Sequence, residues 1–264
     1  MGVAAIIPAA GWGFFVPGFP KVLEQIGGQT ILETVLKTVF ASGVVDEVVV
    51  VVNPNNYGPQ IEKVCDGLPV QIAYQQERTG AAGAVAVALP LVKHCEHILV
   101  TYADMPLWRT NTMRELVIRH IGDGATVSMV TVALNGTRRL ERYGRVIFDE
   151  QGVPLAVFEP DELVSVNPEL LERAKTVNPS LYAFDRDWLE RYIPEIEPVS
   201  KDGYTAERHL PKLIPMAYQQ GRLMSTLLIK DETEALGVNT YPELVQAREI
   251  LAQRQENNHD GGRP

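Results

Sequence analysis

The first half of the chain alternates short runs of apolar, β-branched residues with stretches whose apolar positions recur at helical spacing. Runs that are apolar at nearly every position suit strands buried on both faces, and helical stretches between them suit the crossovers that parallel pairing requires. The pattern predicts strands at Val3–Ile7, Glu47–Val52, Val70–Tyr74 and His97–Thr101. Helices are expected near Thr30–Ser42, Gln60–Asp66, Gly83–Pro90 and Thr110–Ile121. The fold class this implies is α/β: a Rossmann-like, mostly parallel twisted sheet with crossover helices, in which ligands settle outside the carboxyl ends of the strands.

The middle of the chain changes character. "TVSMVTVAL" over Thr126–Leu134 reads as a strand, and Arg145–Glu159 as a hairpin whose turn "DEQG" supplies a glycine for positive φ. These look like antiparallel additions. "TVNPSLYAF" reads as one strand between short helices in "NPELLERAK" and "RDWLERYI". "TAERHLPKLIPMAYQQG" is helical in pattern with a break expected where Pro211 and Pro215 stand four apart. Tyr241–Glu256 forms a last helix with Leu244, Val245, Ala247, Ile250 and Leu251 on one face, and residues 257–264 form a polar, flexible tail.

Composition narrows the partners. A formal net charge of −9 over 264 residues, with no basic stripe, excludes a polyanionic partner such as nucleic acid. The most apolar run, Val44–Val52, is far too short to span a membrane. Two distant cysteines, Cys65 and Cys95, speak against a disulfide framework or a zinc site and for a reducing, cytoplasmic setting.

Two stretches carry candidate chemistry. In "IIPAAGWGFFVPGFPKVL" a strand runs into Ala9-Ala10-Gly11-x-Gly13, a tight turn whose backbone N–H groups can cradle an anion, and Lys21 follows at a fixed distance. Between Gly11 and Pro20 the loop holds no Arg or Lys, only Trp12, Phe14, Phe15 and Phe19 among its large residues. In "TYADMPLW" an apolar strand ends at Asp104, where a carboxylate facing the crevice suits a hard cation such as Mg²⁺ shared with substrate phosphates. Asp104 has the plainer alternative of capping the Thr110 helix or a turn, and the glycine pair that of a plain turn.

These blocks and several more, in order over about Val3–Leu251, resemble the sugar-1-phosphate nucleotidyltransferases, and among them the uridyltransferase domain of the bifunctional N-acetylglucosamine-1-phosphate uridyltransferase/acetyltransferases. The resemblance implies the nucleotide-diphospho-sugar transferase fold, here as a single domain over 1–256. It comprises a nucleotide-binding half (1–122), an antiparallel sugar-binding half (123–240) and a C-terminal helix (241–256). It implies formation of a UDP-sugar and pyrophosphate from UTP and a sugar-1-phosphate, with Mg²⁺ as cofactor. Ala9, Ala10, Gly11 and Gly13 match the phosphate loop, and "YQQERTGAAGA" matches the base-reading loop through Gln75 and Gly80. Tyr102, Gly144, Glu159 and Asn178 match the sugar pocket, Lys21 and Asp104 the catalytic positions, and Asp104 with Asn239 of "EALGVNT" the metal ligands.

Taken singly, these residues have plain readings: Asn178 a turn residue, Glu159 an exposed strand charge, Gln75 a surface amide, Asn239 an N-cap. The chain also departs from the family pattern. Phe14-Phe15 replaces a Thr-Arg pair, the loop is one residue shorter before Pro20, and Ala81 and Ala103 replace Thr and Gly. No hexapeptide repeats follow Leu251, so no acetyltransferase half is expected. The aromatic loop suggests a lid, a surface for a protein partner or self-association, or a weakened enzyme that binds nucleotide-sugars; Phe15→Arg would then raise turnover. A cytidylyltransferase, or use of dTTP, stays open.

Overall fold

The computed structural model describes residues 1–11, 13–16, 18–134, 140–200 and 206–260. Trp12 and the end of the expected tail, 261–264, lie outside the described residues. One sheet of ten strands organises the chain. Its parallel part is formed by β1 (Val3–Pro8), β6 (Glu47–Val52), β7 (Gln71–Tyr74) and β8 (His97–Val100), in the order β8-β1-β6-β7. Two small hairpins, β2 (Phe14–Val16) with β3 (Phe19–Pro20) and β4 (Gln25–Ile26) with β5 (Gln29–Thr30), lie between β1 and α1 (Ile31–Ser42).

The β1 residues Ala4, Ala5, Ile6 and Ile7 have no solvent exposure. Because side chains alternate across a strand, Val3, Ala5 and Ile7 join one core with α1, α2 (Gly58–Cys65) and α4 (Thr110–Gly122). Ala4 and Ile6 join the other, with α3 (Gly80–Ala88), α6 (Arg186–Tyr192) and α7 (Leu213–Gln219). No helix among the described residues is long and apolar enough to cross a membrane.

The antiparallel part grows from β9 (Val127–Ala133). The segment expected as one strand is two, β12 (Thr176–Asn178) and β13 (Tyr182–Asp185), both running along one edge of β9. Proline has no N–H for the ladder at Pro179, and Ser180 takes φ 64°, held by its N–H donating to Asn178 Oδ1 at 3.1 Å. The interruption forks the sheet. β13 continues to β8, whereas β12 continues to β10 (Gly144–Phe148) and β11 (Pro154–Phe158), the expected hairpin. A short helix, α5 (Pro168–Arg173), precedes β12.

Three further expectations change. The helical pattern from Thr205 begins only at Leu210: Glu207 instead bridges to Val199, a 3₁₀ turn covers Leu210–Lys212, and α7 starts at Leu213 with Pro215 in its first turn, where no intrahelical donor is lost. A strand absent from the sequence reading, β14 (Met224–Ile229), pairs in parallel along the free edge of β9. The last helix, α8, spans Tyr241–Asp260, so helix replaces the start of the expected tail, and Val245 points outward while Leu244 and Ala247 are buried.

Between α4 and the sheet, His120 is fully buried, with Nδ1 2.9 Å from Ser128 Oγ and its ring edge-on to His97 at 5.1 Å. His97 Nδ1 has no hydrogen-bond partner among the described residues. Burial, then the neighbouring His97, push the His120 pKa down to about 4, against the opposing pull of Asp185 and Asp123. Since the unfolded chain protonates this ring near pH 6.5, the stability it contributes is present above that pH and is lost as pH falls toward 4. Guanidinium unfolding at pH 7 and pH 5 should show the wild type losing about 2 kcal/mol more than His120→Asn, while equal losses contradict the buried neutral imidazole.

Candidate active site

A cleft of about 580 Å³ opens at the carboxyl ends of β1, β7 and β8. That volume suits a nucleotide-sized ligand. Each wall continues a parallel strand: Pro8–Gly11 and Gly13 follow β1, Gln75, Arg78 and Gly80 follow β7, and Tyr102–Met105 follow β8. The opposite lip is Tyr143, Pro179 and Ser180, so the fork in the sheet is itself a wall of the cleft.

Three residues remote in sequence meet at its centre. Lys21 Nζ donates to Asp104 Oδ2 at 2.6 Å and to Asn239 Oδ1 at 2.7 Å. Each is placed by local backbone. Lys21 N–H donates to Gly13 O at 2.9 Å, closing the β2–β3 hairpin into a side excursion that returns the chain to the cleft. A Cβ on Gly13 would lie 2.7 Å from Lys21 Cε, so the absence of a side chain there lets the lysine cross the loop. Asp104 follows β8, and its carbonyl accepts from Val238 N–H at 2.9 Å, which fixes the segment carrying Asn239. Tyr143 OH donates to Ala235 O at 2.7 Å and accepts from Gly237 N–H at 2.9 Å, holding the same segment.

The plain readings of two residues fall away. Helix α8 is capped by Thr240 and Glu243, which exchange side-chain bonds with each other's N–H, leaving the Asn239 side chain for the cleft. The α4 start is satisfied by Glu234, which accepts from Arg109 N–H and Thr112 Oγ1, and Asp104 takes no part. An aspartate and an amide oxygen already converging on one positive charge are a hard-oxygen pair that fits a divalent cation.

At the other end, Gln75 is buried and its Nε2 donates to Thr79 Oγ1 at 2.8 Å and Gly80 O at 3.0 Å. A carbonyl only accepts, so Gly80 O fixes which way the amide points and turns Oε1 away from this pair. Gly80 has φ +78°, and a Cβ there would lie 2.6 Å from Arg208 O; glycine lets the base of the loop close on that strand of chain. Arg78 pairs with Glu207 at 2.7 Å, and both line the cleft.

Of the expected residues, Ala9, Ala10, Gly11, Gly13, Lys21, Gln75, Gly80, Tyr102, Asp104 and Asn239 line this one cleft. Gly144, Glu159 and Asn178 adjoin one another just behind its lip. Gly144 pairs with Asn178 across β10 and β12, and a Cβ on it would lie 3.3 Å from Glu159 Oε1. Asn178 is buried, with Nδ2 donating to Tyr182 OH at 2.6 Å, so its side chain holds the fork. Burial, then the charges of Glu159 and Asp104, raise the Tyr102 phenol well above its ordinary value, and burial raises Tyr143 to about 12; both stay protonated.

The sequence reading missed Tyr143, Glu207 and His209 as cleft residues. Tyr143 stands beside Gly144 in a block already singled out, but the other two fell in the stretch read as helix. The aromatic loop also resolves differently from expectation. Phe15 packs against the core of Ile26, Ile31, Leu107, Leu236, Val238 and Leu244 beneath α8, away from the cleft, while Phe19 remains 42% exposed.

Comparison with known proteins places the site in context. The MobA-like NTP transferase domain matches residues 5–221. The chain is 31% identical to the bifunctional protein GlmU of Pelobacter propionicus, over 96% of this chain and 53% of that protein. It is 32% identical to that of Thermotoga petrophila, over 95% and 52%. The chain thus spans about half the length of the curated relatives it matches. A solved CMP:2-keto-3-deoxy-manno-octonic acid synthetase complexed with CTP superposes with a TM-score of 0.71 at 18% identity, covering 96% of this chain and all of that one. The fold is shared.

Because Phe15 is a core contact, an arginine there cannot restore charge to the cleft. Phe15→Arg should cost about 1–3 kcal/mol in chemical denaturation, while Phe15→Leu costs less. An arginine variant as stable as the wild type contradicts this packing.

Proposed function

From the premise that the chain belongs to the MobA-like NTP transferase family, we propose that it joins UTP and a sugar-1-phosphate, N-acetylglucosamine-1-phosphate by preference, into a UDP-sugar and pyrophosphate. The observation that carries this reading is the convergence of Lys21, Asp104 and Asn239 at the mouth of the parallel strands. A sugar-phosphate oxygen attacks the α-phosphorus of UTP in line and pyrophosphate leaves, so the site's work is to position two anions and neutralise their charge.

Gly11 and Gly13, without side chains, let phosphates approach the main chain. Lys21, now held by a carboxylate and an amide, exchanges those partners for phosphate oxygens. Arg78 is a second cation on the wall, balanced by Glu207 until an anion arrives. Asp104 and Asn239 would hold Mg²⁺, which when bound supplies charge neutralisation for the triphosphate and the leaving pyrophosphate. Tyr102, kept neutral, offers a hydroxyl toward the sugar side, where Glu159 lies close enough to act on it.

Gln75 supports uracil over cytosine. With Nε2 committed to Gly80 O, the atom left for a base is an acceptor, which suits the N3–H of uracil or thymine and opposes the N3 lone pair of cytosine. The inward Phe15 favours a second reading, a nucleotide-sugar-binding protein with weak turnover, because the loop contributes no cation to the transferring phosphoryl group.

Pyrophosphate release from UTP and N-acetylglucosamine-1-phosphate with Mg²⁺ separates these readings. The wild type should turn over, Asp104→Ala should lose about 100-fold or more, and UTP should exceed CTP in kcat/KM by at least about tenfold. UDP-sugar binding without pyrophosphate release leaves the binding protein, and a preference for CTP contradicts the role given to Gln75.

A further inference from the structure

At the opposite end of the parallel strands, three side chains from two separate segments meet. Glu47 is the first residue of β6, and His94 and Cys95 lie in the turn that leads into β8. One potential ligand atom from each residue, a carboxylate oxygen, an imidazole nitrogen and the thiol sulfur, falls within 4.8 Å of the other two. Cys95 Sγ is 3.8 Å from Glu47 Oε1, and His94 Nε2 hydrogen-bonds the same oxygen. The fold brings them together by running β1 between β6 and β8: Gly2, just before β1, accepts from Glu96 N–H and His97 N–H, and a side chain on it would sit 3.5 Å from Cys95 Sγ.

We propose that Glu47, His94 and Cys95 form a binding site for a zinc-class divalent cation, with three protein ligands and one position open to water. Imidazole nitrogen, thiolate sulfur and carboxylate oxygen are the donor types that such an ion selects over Mg²⁺. The carboxylate is already oriented, because Gln71 Nε2 donates to Glu47 Oε2 at 3.0 Å and leaves Oε1 facing the histidine and the thiol. One ligand is anchored and one is accessible: Cys95 is buried, whereas the His94 side chain is 70% exposed and gives an ion a way in.

The charge balance suits a dication. Burial, then Glu47, raise the Cys95 thiol to about 11, with Asp46 adding to the rise and Arg186 opposing it. The wide spacing between Glu47 and the His94-Cys95 pair explains why two isolated cysteines spoke against zinc in the sequence. The ion would clip the starts of β6 and β8 together, far from the cleft, so it affects stability rather than turnover.

The full chain, stripped with chelator, is titrated with Zn²⁺ and separately with Co²⁺. Zn²⁺ should raise the thermal midpoint, and Co²⁺ should produce a thiolate-to-metal charge-transfer band. His94→Ala and Cys95→Ser should each weaken binding by more than the roughly 10–100-fold cost of losing an outer partner, and Gln71→Ala by that amount. Cys65→Ser should keep the band, and pyrophosphate release with Mg²⁺ should be unchanged in His94→Ala. Absence of the band in the wild type, its persistence in Cys95→Ser, or unchanged Zn²⁺ affinity in His94→Ala overturns the proposal; the exposed His94 decides the matter if Cys95→Ser does not fold.

Discussion

The ammonium group of Lys21, shared between Asp104 and Asn239, is the constraint around which the cleft is arranged. These contacts span 83 and 218 positions of chain, so they exist only once the parallel sheet, the β2–β3 excursion and the segment before α8 have all docked. Their cost is a carboxylate partly removed from water, and the lysine offsets it. Around them the backbone does the placing: Val238 on Asp104, Tyr143 on Ala235 and Gly237, and Gly13 giving way to the lysine side chain. In the proposed reaction, this cation would exchange the carboxylate and the amide for phosphate oxygens, freeing both for a metal ion.

The second organising feature is the interruption at Pro179–Ser180. A continuous strand there would run the antiparallel part of the sheet straight past the carboxyl ends of β1 and β8. The fork instead divides the sheet into a branch through β8 and a branch through β10 and β11, and the gap between them becomes the lip of the cleft. Asn178 holds the interruption from behind with both ends of its amide. Local backbone chemistry at two residues thus shapes one wall of the cleft.

How much of this was legible follows from which forces act locally. The parallel strands could be read from runs of Val and Ile, because burial on both faces leaves no polar positions, and Asp104 from its place at the end of one. β14 was missed because a short apolar run carries no period that separates strand from helix, and its partner lies 97 positions away, Met224 against Val127. The direction of Phe15 was illegible because it depends on α8, more than two hundred residues on. Val245 shared a face with Leu244 in projection, yet the core beneath α8 is narrower than the apolar stripe. Glu207 and His209 were hidden inside a helical pattern that prolines and a bridge to Val199 cut short.

Under the proposed function, the atoms gathered on Lys21 are those that would receive a divalent cation together with a pyrimidine nucleotide. A crystal structure grown with UTP and Mn²⁺ in place of Mg²⁺, with the ion located by its anomalous signal, tests it most directly. The ion should lie between Asp104 Oδ2 and Asn239 Oδ1, with Lys21 Nζ on a phosphate oxygen. An ion bound elsewhere in the cleft, or Lys21 still paired with Asp104 beside bound nucleotide, contradicts it.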